Sequence, residues 1–125
     1  MSVIVTDSGF AADDWAGDVL DLASDADPQD YRDKIRSAAM IRVDFPGFAD
    51  GRGFTIARRL RLMGFAGRLR ARGHVIADQY AMARRAGFDE VEIDRDLAAR
   101  QPEPQWRARA NWRAHDYQSR LRARA

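Results

Sequence analysis

Acidic and basic side chains that could do chemistry are concentrated in two glycine-containing segments of this 125-residue sequence. The segment 44–53 is Asp-Phe-Pro-Gly-Phe-Ala-Asp-Gly-Arg-Gly, and the segment 72–79 is Arg-Gly-His-Val-Ile-Ala-Asp-Gln. Carboxylates can act as general bases or bind Mg²⁺, so the candidate catalytic residues are Asp44, Asp50 and Asp78. The alternative is that these carboxylates form ion pairs with arginines and hold the two loops in place.

An oxyanion such as sulfate, sulfite or phosphate is the ligand that the first segment favours. Gly51 and Gly53 allow close backbone approach, Arg52 offers several donors, and a helix beginning at Phe54 would direct its first amides toward the same place. The predicted anion-binding residues are Gly51, Arg52, Gly53 and Arg58. The alternative is that Asp50 pairs with Arg52 or caps the helix, since a bare Gly-x-Gly lacks the third glycine of the dinucleotide fingerprint.

The residue content excludes several kinds of site. The sequence has no cysteine, which excludes disulfides, thiolate catalysis and cysteine-ligated zinc or iron–sulfur centres. It has only two histidines, and His74 has no serine or cysteine partner in a recognisable motif, so we expect a loop residue there rather than a catalytic base. We therefore expect no metal site, no cofactor and no independent enzymatic activity.

Charge is distributed unevenly along the chain. Residues 1–36 hold nine Asp against three basic residues, whereas residues 100–125 hold seven Arg against two acids. A basic segment with interleaved aromatic side chains could bind nucleic acid. We favour an arginine-rich helix that lies over the acidic N-terminal segment, because the whole chain uses twenty Arg and one Lys. No segment is apolar for long enough to suggest export or a membrane span, so we expect a cytoplasmic protein without membrane contact.

The elements that must position these loops follow from the hydrophobic periodicity. From residue 39 onward, strand-like and helix-like periods alternate, which is typical of parallel α/β units. The predicted strands are Met40 to Phe45, Leu69 to Arg72 and Val91 to Ile93, and the predicted helices are Phe54 to Met63 and Val75 to Ala86, which Gly87 ends. We therefore predict an α/β fold with a small, mainly parallel βαβαβ sheet, similar to a partial (β/α) barrel and flanked by N- and C-terminal helices.

The flanking segments complete one domain over residues 1–125, with a core at about 37–99. The predicted N-terminal elements are a strand at Ser2 to Val5, a turn at Asp7 to Gly9, a helix at Asp14 to Ser24, and a short helix at Pro28 to Ile35 capped by Asp27. The predicted C-terminal elements are a short helix at Arg95 to Gln101 and an arginine-rich helix at about 105–124. Because few helices are available to cover both faces of the sheet, we expect a homodimer, with the C-terminal segment and its two Trp as the contact.

Both loops resemble a known family, the bacterial domain of unknown function 934 family. The residues that carry the resemblance are Val43 to Phe48, Asp50 to Phe54, Ala57-Arg58, Gly67, Leu69 to Ala71, Gly73, Asp78-Gln79 and Arg85 to Asp89. The likeness is firm over about residues 30–94 and weaker at Trp15 and at Tyr117-Gln118. The sequence departs from the family pattern at Gly47, where the family often has Lys, and at His74, where it usually has Asp.

The resemblance implies a genomic context rather than a mechanism, since such proteins are typically encoded beside assimilatory sulfite reductase. We therefore expect an accessory protein of sulfite and sulfate reduction that binds a partner, sulfite reductase or its electron donor, or an oxyanion. The expected partner-binding residues are Phe45, Phe48 and Gln79, because aromatic side chains on a functional rim are natural contact residues. The alternative is a small cofactor-independent enzyme or metabolite-binding protein that uses the Asp and Arg side chains of the two loops.

Overall fold

A computed structural model describes residues 2–115 of the chain. It contains one six-stranded sheet with the strand order β2-β1-β6-β5-β4-β3. The strands are β1 (Ser2–Thr6), β2 (Gly9–Ala11), β3 (Leu20–Leu22), β4 (Met40–Phe45), β5 (Arg68–Gly73) and β6 (Glu90–Asp94). Strands β3 to β6 are parallel neighbours in chain order, and β1 and β2 are added to β6 in antiparallel pairs. The predicted α/β fold with a mainly parallel sheet is therefore confirmed.

The helices follow the strands in the order expected for consecutive βα units. They are α1 (Arg32–Ser37), α2 (Arg52–Leu62), α3 (Tyr80–Ala86), α4 (Arg95–Arg100) and α5 (Glu103–Arg107), with 3-10 turns at Pro28–Tyr31, Ala77–Gln79 and Trp112–His115. Asp27 caps the first of these turns by accepting a hydrogen bond from the Gln29 amide at 3.0 Å, as predicted. Gly87 ends α3 with φ of +120°, which is the left-handed conformation that glycine adopts easily. No described helix is both long and apolar enough to span a bilayer.

The two faces of the sheet differ in character because apolar and charged residues alternate along the parallel strands. One set of side chains forms the buried core with α2 and α3, and it includes Ile41, Val43, Leu69, Ala71, Val91 and Ile93. The opposite set is charged and includes Arg42, Arg68, Arg70, Arg72, Glu90 and Glu92. The sheet is therefore hydrophobic only on the face that carries these helices, as in a segment of a barrel with one layer of helices.

The predicted helix at Asp14 to Ser24 is wrong. The structure has irregular chain there, followed by β3, because Leu20 and Leu22 both pair with β4 and contribute side chains to the core. The acids that seemed suited to a first helical turn instead form ion pairs across the charged face of the sheet. Asp13 binds Arg70, and Asp14 binds Arg68. A helix over these residues would break both the strand pairing and the ion pairs.

The predicted long C-terminal helix is also wrong over the residues that the structure describes. Helix α5 ends at Arg107, and a separate 3-10 turn follows at Trp112–His115. Trp106 is buried and donates its indole N–H to the Gln101 carbonyl, whereas Trp112 donates to Asp7 beside the hydroxyl of Tyr80. Trp106 and Trp112 are six residues apart, which corresponds to one and two-thirds turns of an α-helix. One continuous helix would therefore place the two indoles on different faces. The rest of the predicted helix, 116–124, and Tyr117-Gln118 lie outside the described residues.

Candidate functional site

A polar cleft of about 290 Å³ opens where the parallel strands β4, β5 and β6 end. Ligands in parallel α/β folds bind at this edge, because the loops that follow the strands converge there. The polar residues that line the cleft are Ser2, Asp44, Arg72, His74, Glu92, Asp94 and Arg100. We therefore take this cleft as the candidate functional site.

Three of these side chains come from directly neighbouring positions on adjacent strands. Asp44 pairs in register with Arg72, and Arg72 pairs in register with Glu92. Opposite charges in such positions usually attract each other across the sheet. Arg72 nevertheless approaches only Glu92, at 3.4 Å, and its side chain is 52% exposed. The guanidinium of Arg72 is thus held at the edge of the cleft and stays accessible.

Glu92 lies at the centre of an ion-pair network behind the cleft. Its Oε1 accepts hydrogen bonds from Arg70 at 2.9 Å and from Arg42 at 3.1 Å, and its Oε2 accepts one from Ser2 at 3.0 Å. Arg42 and Arg70 are directly opposite each other on β4 and β5, an arrangement of like charges that is destabilising unless it is compensated. The Glu92 carboxylate supplies that compensation by accepting from both guanidinium groups.

A second carboxylate and the N-terminal segment complete the network. Arg70 is 1% exposed and also donates to Glu90 at 2.5 Å and to both carboxylate oxygens of Asp13 at 3.0 Å. Burial by itself disfavours the charged form of Arg70, but its hydrogen bonds to Asp13 and Glu90 raise its pKa overall. Burial likewise opposes ionisation of Glu92, yet hydrogen bonds from Arg70 and Ser2 lower the pKa of that carboxyl. Both groups are therefore charged at neutral pH.

The remaining polar groups of the cleft differ in whether they already have a partner within the protein. Asp94 caps α4 by accepting a hydrogen bond from the Leu97 amide at 2.8 Å. His74 is exposed on its loop, and its imidazole packs edge to face against the ring of Phe48 at 5.3 Å between centroids. Within residues 2–115, the carboxylate of Asp44 and the guanidinium of Arg100 have no hydrogen-bond or ion-pair partner. These two groups, with Arg72 and His74, are the ones free to bind a ligand.

The three candidate catalytic carboxylates do not form one site. Asp50 is bound by Arg52 at 2.7 and 2.9 Å, and these hydrogen bonds lower the pKa of Asp50 to about 2. Asp78 forms an ion pair with Arg109. No group of acids and histidines in the described part of the chain has the arrangement of a metal site. Of the three, Asp44 is the one that lines the cleft.

The predicted anion-binding residues are also separated. The donors of Arg52 are directed to Asp50 and to the Ser24 hydroxyl, so a bound anion would compete with the protein's own carboxylate. A Cβ atom at Gly53 would lie 2.4 Å from the ring of Phe45, which means that this glycine makes room for the core rather than for a ligand. Arg58 lines a different, shallow groove between α2 and α3. Anion binding at Arg52 stays a prediction.

The expected partner-binding residues divide into buried and accessible groups. Phe45 is 2% exposed and packs against Phe54 and Phe88, so the expectation of direct partner contact is corrected for this residue. Phe48 is 41% exposed, and its ring lies against His74, which lines the cleft. Gln79 holds the two loops together, because its side chain donates to the Phe48 carbonyl at 2.9 Å and accepts from the Ile76 amide at 3.0 Å.

Several residues of the cleft and its network were not identified from the sequence. Arg72, Glu92, Asp94 and Arg100 were absent from the candidates, although a signal for the first three exists. The segment 68–72 reads Arg-Leu-Arg-Ala-Arg and the segment 90–94 reads Glu-Val-Glu-Ile-Asp. Charges of opposite sign at every second position of two predicted neighbouring strands indicate a charged sheet face. No comparable pattern marks Arg100.

Comparison with known proteins gives a family and nothing more specific. A family model described as "Bacterial protein of unknown function (DUF934)" matches residues 19–125. This range includes every described residue that lines the cleft except Ser2. Neither a curated protein nor a solved structure matches the chain.

Proposed function

Because the chain belongs to the DUF934 family of bacterial proteins, we propose that it is a cytoplasmic accessory protein of assimilatory sulfite and sulfate reduction. It acts by binding sulfite reductase or the electron donor of that enzyme. The pathway assignment follows from the genomic context that the family resemblance implies. The accessory role follows from the chain itself, since a protein without cysteine cannot ligate the iron–sulfur cluster that sulfite reduction uses.

The observation that carries partner binding is the exposure of Phe48 on a loop that other residues of the protein hold in place. Large apolar side chains that are exposed on a well-ordered loop are typical anchors in protein interfaces. The Phe48 backbone is fixed by Gln79, and its ring rests against His74. Little conformational entropy is therefore lost when a partner covers this aromatic ring.

Replacing Phe48 by alanine tests the proposed interface. We expect F48A to reduce retention of sulfite reductase or its electron donor by the tagged protein about tenfold or more, because a central aromatic anchor contributes about 2 kcal/mol or more. The matched control is L62A, which removes an apolar side chain that is 81% exposed at the end of α2, away from the cleft. The control is expected to retain the partner like the unmodified protein.

Growth measurements in the same strains give an independent result. A deletion strain is expected to grow poorly on sulfate and normally on cysteine, and the L62A gene but not the F48A gene should restore growth on sulfate. Normal growth of the deletion strain on sulfate as sole sulfur source would contradict the pathway assignment. A sulfur defect without any retained partner would favour the alternative, a small metabolite-binding protein or enzyme.

A homodimer remains part of this proposal. The edge strands β2 and β3 are three residues long and leave backbone groups unpaired, and coil rather than helix crosses the charged face of the sheet. Trp106 does not belong to the contact, because it is 1% exposed within its own chain. Light scattering at tens of micromolar protein should give twice the chain mass. A monomer at that concentration would remove this part of the proposal.

A further inference from the structure

The uncommitted groups of the cleft have opposite charges, and this combination defines a chemical class of ligand. We propose that the cleft binds a small oxyanion that carries a proton, such as hydrogen phosphate or hydrogen sulfite. The guanidinium groups of Arg72 and Arg100 bind the negative oxygens, and the carboxylate of Asp44 accepts the hydrogen bond of the protonated oxygen. Only the choice of sulfite as one of the test anions rests on the proposed function.

Arg72 provides a cation that no carboxylate within residues 2–115 neutralises closely. Its nearest carboxylate is Glu92, at 3.4 Å. Both oxygens of that carboxylate already accept shorter hydrogen bonds, from Arg70 and Arg42 on one side and from Ser2 on the other. An oxyanion in the cleft can therefore bind Arg72 without displacing any of the strong contacts of the network.

Arg100 and His74 add donors from two other directions. Arg100 is the last residue of α4, the helix that follows β6, and it lines the cleft. His74 follows β5 directly, and its backbone amide is held by the Phe45 carbonyl at 2.9 Å. The cleft has a volume of about 290 Å³, which accommodates a four- or five-atom anion together with water.

Asp44 makes the site selective, because a carboxylate beside arginines has opposite effects on protonated and unprotonated oxyanions. It accepts a hydrogen bond from an oxygen that carries a proton, and it repels an oxygen that does not. Asp44 is the register neighbour of Arg72, so the two side chains leave adjacent strands about 4.8 Å apart at the backbone. Because both side chains line the same cleft, we infer that an anion bound to Arg72 also approaches the Asp44 carboxylate.

Phosphate and sulfate provide a direct test of this selectivity. At neutral pH the hydrogen phosphate dianion and sulfate have the same tetrahedral shape and charge, and they differ by one proton. Calorimetric titration of the purified full chain should give binding of phosphate at least about tenfold tighter than that of sulfate. Sulfite, which is partly protonated at neutral pH, should also bind more tightly than sulfate.

Four variants assign the result to the proposed atoms. Arg72→Ala should weaken phosphate binding about tenfold or more, whereas Arg58→Ala, which removes an exposed arginine in another groove, should leave it unchanged. Asp44→Asn offers a donor in place of the carboxylate, so sulfate should gain affinity and the preference for phosphate should disappear. Arg52→Ala distinguishes the cleft from the separate anion site predicted at the start of α2, because it should remove binding at that second site and leave binding in the cleft intact.

Two kinds of outcome overturn the inference. Equal affinity for phosphate and sulfate, or no binding of either, means that Asp44 does not act as a selective acceptor. Loss of binding in Arg52→Ala with retention in Arg72→Ala would place the anion at the start of α2. Tight binding of phosphate without detectable binding of sulfite would support the anion site in the cleft and exclude sulfite as its ligand. The proposed function is then tested separately, by retention of the partner.

Discussion

Replacing Glu92 by alanine is expected to lower the free energy of unfolding by about 3 to 5 kcal/mol, because it leaves the buried Arg70 and the partly buried Arg42 without their shared acceptor. Arg70 is 1% exposed, and Arg42 lies directly beside it on the next strand. Without the carboxylate, the two guanidinium groups lose the one acceptor that they share within residues 2–115, since Glu90 and Asp13 bind Arg70 but not Arg42, and Asp21 binds Arg42 but not Arg70. Urea denaturation followed by circular dichroism measures the change.

The control for Glu92 lies in the same network but at its exposed end. Asp21 binds Arg42 at 2.6 and 3.1 Å, yet its side chain is 60% exposed. Exposed ion pairs contribute about 0 to 1 kcal/mol, so Asp21→Ala should have a small effect. Equal losses for the two variants would contradict the idea that burial makes the Glu92 contacts important.

The Glu92 contribution should also depend on pH in a defined direction. Hydrogen bonds from Arg70 and Ser2 outweigh burial and lower the pKa of Glu92 in the folded protein. A group with a lowered folded pKa stabilises fully above its unfolded pKa, about 4.3 for glutamate, and loses that contribution as pH falls through the folded value. The difference in stability between the unmodified protein and Glu92→Gln should therefore narrow on acidification below about pH 4.

Replacing Trp106 by alanine is expected to cost about 3 to 5 kcal/mol, which is typical for removal of a large buried aromatic side chain. Trp106 is 1% exposed and packs edge to face on Tyr80, with ring centroids 6.1 Å apart. Its indole N–H donates to the Gln101 carbonyl at 2.8 Å. The cavity left by alanine would open the contact between α5 and the rest of the core.

A second variant at Trp106 separates its packing from its hydrogen bond, and a variant at Trp112 provides a comparison. Trp106→Phe keeps most of the buried aromatic surface and loses the N–H donor, so we expect a smaller cost of about 1 to 2 kcal/mol. Trp112→Ala removes a half-buried indole bound to Asp7 and serves as the comparison within the same segment. If Trp106→Ala unfolds at the same urea concentration as the unmodified protein, α5 is not part of the core.

The elements of the parallel core could be predicted because their signals are local. The alternation of strand and helix periods places β4, α2, β5 and β6 within two residues of their observed bounds, whereas the helix predicted from Val75 begins with a 3-10 turn at Ala77–Gln79 and continues as α3 from Tyr80. The N-cap of Asp27 and the stop at Gly87 also depend on residues within a few positions. The helix prediction for residues 14–24 failed for the opposite reason. The apolar spacing of this segment fits a helix, but pairing with the distant strand β4 makes Leu20–Leu22 a strand.

The sequence by itself determined the α/β class, the order of the core elements and the local pairing of Asp50 with Arg52, two residues apart. Only the tertiary structure decided which charges meet, because those contacts join distant parts of the chain. Glu92 reaches Arg42 across fifty positions, and Arg70 reaches Asp13 across fifty-seven. Such contacts depend on strand order and register, which set the distance between side chains and cannot be read from either segment alone.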